Sequence, residues 1–145
     1  MSSKPLIVGE SNPYGGHADF ALYPSPDGCS GHRLCCLILR MRRKVYIDSF
    51  DRVNLVVGKW AMKSARSAAA HLRTEHGRII LLGSKVCAAF DIPFKPFSGH
   101  EEDGVRFAIL PHPSGLCRLW RDPDAGAKAR NTVLNLAPEL EVGVT

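Results

Sequence analysis

Ile79-Ile80-Leu81-Leu82-Gly83-Ser84 is the stretch that decides the fold. Four consecutive apolar residues stop at a glycine and a serine suited to cap a helix. That is the signature of a short strand buried on both faces and followed at once by a helix. Upstream, Met62, Ala65, Ala69 and Leu72 recur at helical spacing and the pattern closes near Gly77. Before them, residues 53–57 read as a strand ending in Gly58-Lys59-Trp60, and residues 6–9 as the first short buried strand. Between these two strands, residues 10–31 are rich in Gly, Pro, Ser and Asp and read as a long loop, the kind that is commonly functional in a compact domain. Leu34, Leu37, Ile38 and Met41 then mark an amphipathic helix with Arg33, Arg40, Arg42 and Arg43 mostly off its stripe. Downstream of Ser84, a short helix is expected through Phe90 and an irregular segment over 91–104. A last strand is expected over 106–110. Asp122-Pro123 has the chemistry of a helix start, and that helix runs to about Leu136.

Strands alternating with helices predict one α/β domain over residues 1–145. Its expected form is a three-layer sandwich, with a four-stranded, mostly parallel sheet between helices. At 145 residues the chain is long enough to bury a core, and 45% hydrophobic with 23% charged residues is ordinary for a globular protein. No apolar run approaches the roughly 18–20 residues that span a bilayer, and Met1-Ser2-Ser3-Lys4-Pro5 opens no signal-peptide core. The expectation is no membrane partner and a cytoplasmic location, in a bacterial or virus-infected cell. The net charge of +5 favours an anionic partner, although 14 acidic residues dilute that signal. Five cysteines, Cys29, Cys35, Cys36, Cys87 and Cys117, show no C-x-x-C spacing. Neither a disulfide framework nor a metal site is expected, and Cys35 and Cys36 read as reduced core residues.

Two polar turns carry the chemistry. Gly9-Glu10-Ser11-Asn12-Pro13-Tyr14-Gly15 follows the apolar run Leu6-Ile7-Val8. His112-Pro113-Ser114-Gly115-Leu116-Cys117-Arg118 follows Phe107-Ala108-Ile109-Leu110. Each falls where a buried strand would end, the edge at which open α/β sheets assemble their sites. Asn54 lies inside an apolar strand, where an amide costs free energy unless it is hydrogen-bonded. Taken singly these residues have plain structural roles. Asn-Pro is a common turn, a strand-end histidine bonds backbone, and Tyr14, Tyr23 or Leu116 can be packing anchors.

In this combination and order the residues resemble the uracil-DNA glycosylase superfamily. That superfamily places a Gly-x-(Asp/Asn)-Pro turn after its first strand and a His-Pro-Ser or Asn-Pro-Ser-Gly-Leu turn after its last. Ser11-Asn12-Pro13-Tyr14 resembles the first motif, with Asn as in the mismatch-specific branch where the uracil-specific branch has Asp. His112-Pro113-Ser114-Gly115-Leu116 resembles the second. Val53-Asn54-Leu55-Val56 is similar to the strand whose Asn reads the base edge, and Ile80-Leu81-Leu82-Gly83-Ser84 to the third strand and its turn. Gly9-Glu10 also matches the Gly-Glu turn of the iron–sulfur branch. The residues that follow depart from that branch and its cysteine spacing is missing, so Asn12 is taken as the counterpart of the catalytic residue and no cluster is expected.

The resemblance implies a monofunctional DNA glycosylase that needs neither metal nor other cofactor. It would hydrolyse the N-glycosidic bond of a uracil-like or modified base extruded from DNA. Catalysis would fall to Asn12, orienting water, and His112, donating to the departing base. Tyr14, Tyr23 and Asn54 would bind that base, Tyr23 by stacking and Asn54 through its amide. Ser114, Gly115, Leu116 and Arg118 would contact DNA, Leu116 as a wedge. Two other readings stand beside it. One is a non-catalytic DNA- or partner-binding protein that keeps the fold; the other is an enzyme acting on a free nucleotide.

Overall fold

A computed structural model describes residues 3–12 and 18–143, with Asn12 and Ala18 described by backbone alone. The sheet has five strands: β1 Leu6–Asn12, β2 Asp51–Val57, β3 Arg78–Leu82, β4 Ser98–Glu102 and β5 Val105–Leu110. Their order is β2-β1-β3-β5-β4. β1 pairs in parallel with β2 and β3, and β3 with β5, while β4 runs antiparallel on β5.

Alternation along the strands sorts the core into two halves. Leu6, Val8, Ile79, Leu81, Phe107 and Ile109 meet Ala65 and Ala69 of α3 Met62–Glu75 and Val86 and Cys87 of α4 Ser84–Ala89. Ile7, Ile80, Leu82, Ala108 and Leu110 point to the opposite face. There they meet a helical segment formed by α1 Ser30–His32 and a π-helix over Arg33–Ile38, together with α2 Arg43–Ser49 and α5 Ala125–Leu136. The expected three layers are present. Each fully buried aliphatic chain contributes roughly 1.5–3 kcal/mol, so the Ile79–Leu82 run anchors both halves.

The strand count is five where four were expected. β4 escapes a hydrophobic reading because Ser98-Gly99-His100-Glu101-Glu102 is polar throughout, as an edge strand can be. Its signal lies in the turn. Asp103 and Gly104, both at positive φ (53° and 78°), link Glu102 to its partner Val105 in a two-residue hairpin.

The segment after the long loop also departs from expectation. One amphipathic helix was expected, but the backbone winds as a π-helix, with the Leu39 N–H on the Leu34 carbonyl at 2.9 Å. It ends at Ile38, the chain turns at Arg40 with φ +52°, and α2 starts anew at Arg43. The wider winding turns Leu37 outward, 54% exposed, and brings Leu39 inward beside Leu34, Cys35 and Ile38. The last helix begins at Ala125 rather than at Asp122-Pro123. Asp122 instead accepts the Asp124 N–H and the Lys128 ammonium at 2.9 and 2.8 Å. A short 3₁₀ turn, Arg118–Arg121, precedes it.

Tyr46 of α2 is wholly buried and donates its hydroxyl to the Leu22 carbonyl at 2.8 Å. Burial pushes its phenol well above the ordinary value, so it stays a donor. Tyr46→Phe leaves that carbonyl without its donor and is expected to cost about 1–3 kcal/mol, read as a lower urea midpoint. The thiols of Cys35 and Cys87 are pushed up to about 12, chiefly by burial and for Cys35 also by its contact with Cys36. Both are expected to resist iodoacetamide near neutral pH in the folded protein and to react in denaturant, as mass spectrometry of the alkylated chain would show.

Candidate functional site

The connection leaving β1 covers one face of the sheet and α4, leaving β3, covers the other. Where neighbouring strands part in this way, a crevice opens beyond their carboxyl ends. β1 sharpens the opening. Its pairing with β3 stops at Val8–Leu81, while its pairing with β2 continues to Asn12–Val57. Residues 10–12, expected to open the long loop, thus extend the strand past the end of its pairing with β3.

A cleft of about 490 Å³ lies there. Gly9, Glu10 and Ser11 of β1 line it, with Asn54 of β2, Phe20 and Tyr23 of the long loop, Arg33 of the π-helix, and His112, Ser114 and Gly115 after β5. A second cavity of about 370 Å³, between β4, β5 and α5, takes no residue from either turn.

Asn54 faces the cleft because Gly9, its register partner, has no side chain. A β-carbon on Gly9 would stand 2.5 Å from the Asn54 Oδ1 and 3.3 Å from Leu22. The carboxamide therefore lies across the glycine, and among the described residues it has no hydrogen-bond partner. An amide left half-buried and unpaired retains its full donor and acceptor capacity for a ligand.

Tyr23 is held from behind. The Arg52 guanidinium lies 5.6 Å from its ring centroid and donates to the Ala21 carbonyl at 2.9 Å. Phe20 meets the ring edge-on at 5.4 Å and is itself 58% exposed. Among the described residues the cleft thus has two aromatic rings, of which the sequence reading identified Tyr23.

His112 sits between two buried prolines, Pro111 and Pro113. Its carbonyl accepts the Trp120 indole N–H at 2.7 Å. Its β-carbon would lie 3.3 Å from a β-carbon on Gly83, which adopts φ +95°. The backbone is thereby fixed, while the imidazole has no hydrogen-bond partner among the described residues. Beyond it, the Ser114 Oγ accepts the Leu116 N–H at 3.1 Å and the Ser114 carbonyl accepts the Cys117 N–H at 3.1 Å. This tight turn lifts Leu116 to 92% exposure.

Tyr23, Asn54, His112, Ser114 and Gly115 are therefore brought to one cleft. Leu116 and the exposed Arg118 stand outside it on the same turn. The backbone of Asn12 ends β1 opposite Val57, and Tyr14 lies outside the described residues. Glu10 is the single carboxylate among the described residues that line the cleft. Its signal was the Gly9-Glu10 pair, passed over for Asn12. Arg33 was visible only as a basic residue off the apolar stripe. Among the described residues, no group of three His, Cys, Asp or Glu is placed to hold a metal ion, and no helix is long and apolar enough to cross a membrane. No family model, curated protein or solved structure matches this chain.

Proposed function

We propose that this chain binds a uracil-like or modified base extruded from DNA and hydrolyses its N-glycosidic bond, as its motif resemblance to uracil-DNA glycosylases implies. The observation that carries the reading is the convergence of Asn54 and His112, from β2 and from the turn after β5, on one cleft, with neither side chain hydrogen-bonded among the described residues. Within the proposal, Tyr23, with Phe20 beside it, offers a stacking face. Asn54 pairs with the base edge, since a carboxamide both donates and accepts. The His112 imidazole donates to an oxygen of the departing base as negative charge builds there. Leu116, exposed at the apex of its turn, fills the gap that base extrusion leaves, and Arg118 contacts the flanking DNA.

Hydrolysis also needs a group that orients water and stabilises positive charge on the sugar. The motif resemblance assigns this to Asn12, whose amide takes no proton near neutral pH. Glu10 lines the cleft and is a carboxylate, so it is the better candidate for this role.

The test uses labelled oligonucleotides carrying uracil, mismatched uracil, hypoxanthine or hydroxymethyluracil, with alkali cleavage of abasic product as the readout. Base release from at least one is expected. No release from any at high protein concentration overturns the repair reading, and salt-sensitive binding without release would leave a non-catalytic binder. A second expectation concerns Gly9→Ala. The new methyl displaces the Asn54 amide at the end of its side chain and leaves the sheet in place. Base release should fall about 100-fold, as expected for a misplaced recognition group, with the urea midpoint nearly unchanged.

A further inference from the structure

Arg33 lines the cleft from the π-helix. Its Nε donates to the Pro113 carbonyl at 3.0 Å, tying the π-helix to the turn that presents His112. The guanidinium lies beside Gly115, its Cζ and Nη1 each 3.6 Å from where a β-carbon would stand. Four arginines of this chain meet carboxylates: Arg43 with Asp27, Arg66 with Asp91, Arg73 with Glu102 and Arg78 with Glu139. Arg33 has no carboxylate within 4 Å among the described residues, and its two Nη groups have no partner there. The fold uses the Nε and leaves the fork open.

An open guanidinium fork, fixed at its base by a carbonyl, matches a phosphate, which accepts two parallel N–H bonds. Ser114, between Pro113 and Gly115, lines the same cleft. Its oxygen already accepts the Leu116 N–H, so its own proton is free to donate. Gly115 adds no side chain to screen the pair. Glu10 lines the same cleft and repels an anion placed beside it, which favours the Arg33 fork as the phosphate's place.

We infer that Arg33, with the Ser114 hydroxyl, binds one phosphate of the nucleotide whose base enters the cleft. The inference rests on the base-binding reading above, although the phosphate can come from a DNA strand or from a free nucleotide. The test measures binding of the whole chain to a labelled duplex with a tetrahydrofuran abasic analogue, carrying either ordinary linkages or one methylphosphonate flanking the analogue. The wild type should lose about 10- to 100-fold in affinity when the flanking phosphate is made neutral. R33Q should bind the ordinary duplex about that much more weakly, be indifferent to the methylphosphonate, and show a salt slope smaller by about one. R33K, which keeps charge but not the fork, should recover only part of the loss. In a second arm, calorimetry compares deoxyuridine 5′-monophosphate with deoxyuridine. Preference for the monophosphate in the wild type, lost in R33Q, with no duplex binding, assigns the phosphate to a free nucleotide. A wild type indifferent to phosphate in both arms overturns the inference, as does an R33Q protein that is weakened but still sensitive to the neutral linkage. Absent base release with an intact phosphate effect would count against the glycosylase reading alone, and normal release by R33Q with no phosphate effect against this inference alone.

Discussion

His112→Ala is expected to lower kcat for base release by about 100- to 1,000-fold, the usual cost of removing one preorganised donor at a site of developing charge. Binding of the same oligonucleotide should change little, because in the proposed reaction the interaction strengthens only as the base departs. The substitution is clean on the protein side. The Trp120 indole bonds the His112 carbonyl, not the ring, so the turn keeps its anchor. The ring has no hydrogen-bond partner among the described residues, so none is orphaned by its loss. Thermal unfolding should therefore shift little, and His112→Gln, which retains a donor, should recover part of the rate. Single-turnover kinetics with excess protein separate the two terms. An equal loss in binding and in kcat/KM, with kcat unchanged, would show that His112 only holds the ground state.

How far the sequence carried this picture depends on where each residue draws its constraint. Ile79–Leu82, Leu6–Val8 and Phe107–Leu110 were legible because strands buried on both faces must be apolar, and the faces of the helices that cover them must match. β4 was not, because one of its sides faces no strand and its side chains are free to be polar; Asp103-Gly104 was its signal. Leu37 was assigned to the core because period 3.6 was assumed where the backbone winds more widely. Asn54 stood out because an amide in an apolar strand demands an explanation, and the explanation is local: a glycine opposite it opens the space. Arg33 did not stand out. Its meaning comes from a carbonyl 80 residues away in sequence, and no periodicity reports a contact of that kind.

Glu10→Gln is expected to reduce kcat by about 100- to 10,000-fold, the range associated with loss of a general base, and Asn12→Ala by much less. The contrast follows from how β1 runs. Had the strand ended with Val8, residues 9–15 would form one turn, and the match through Pro13 would bring Asn12 to the strand's mouth. Instead β1 continues along β2 to Asn12, so the position nearest the end of β3 is that of Gly9 and Glu10. Gly9 there makes room for Asn54, and Glu10 and Ser11 line the cleft beside it. A carboxylate at this place can accept a proton from water and stabilise a cationic sugar, and glutamine retains its shape without either ability. The two variants should bind a tetrahydrofuran duplex about as well as the wild type, which separates chemistry from recognition. If Asn12→Ala proves the more damaging and Glu10→Gln releases base at the wild-type rate, the alignment through Pro13 is correct and the cleft orients its water without a carboxylate.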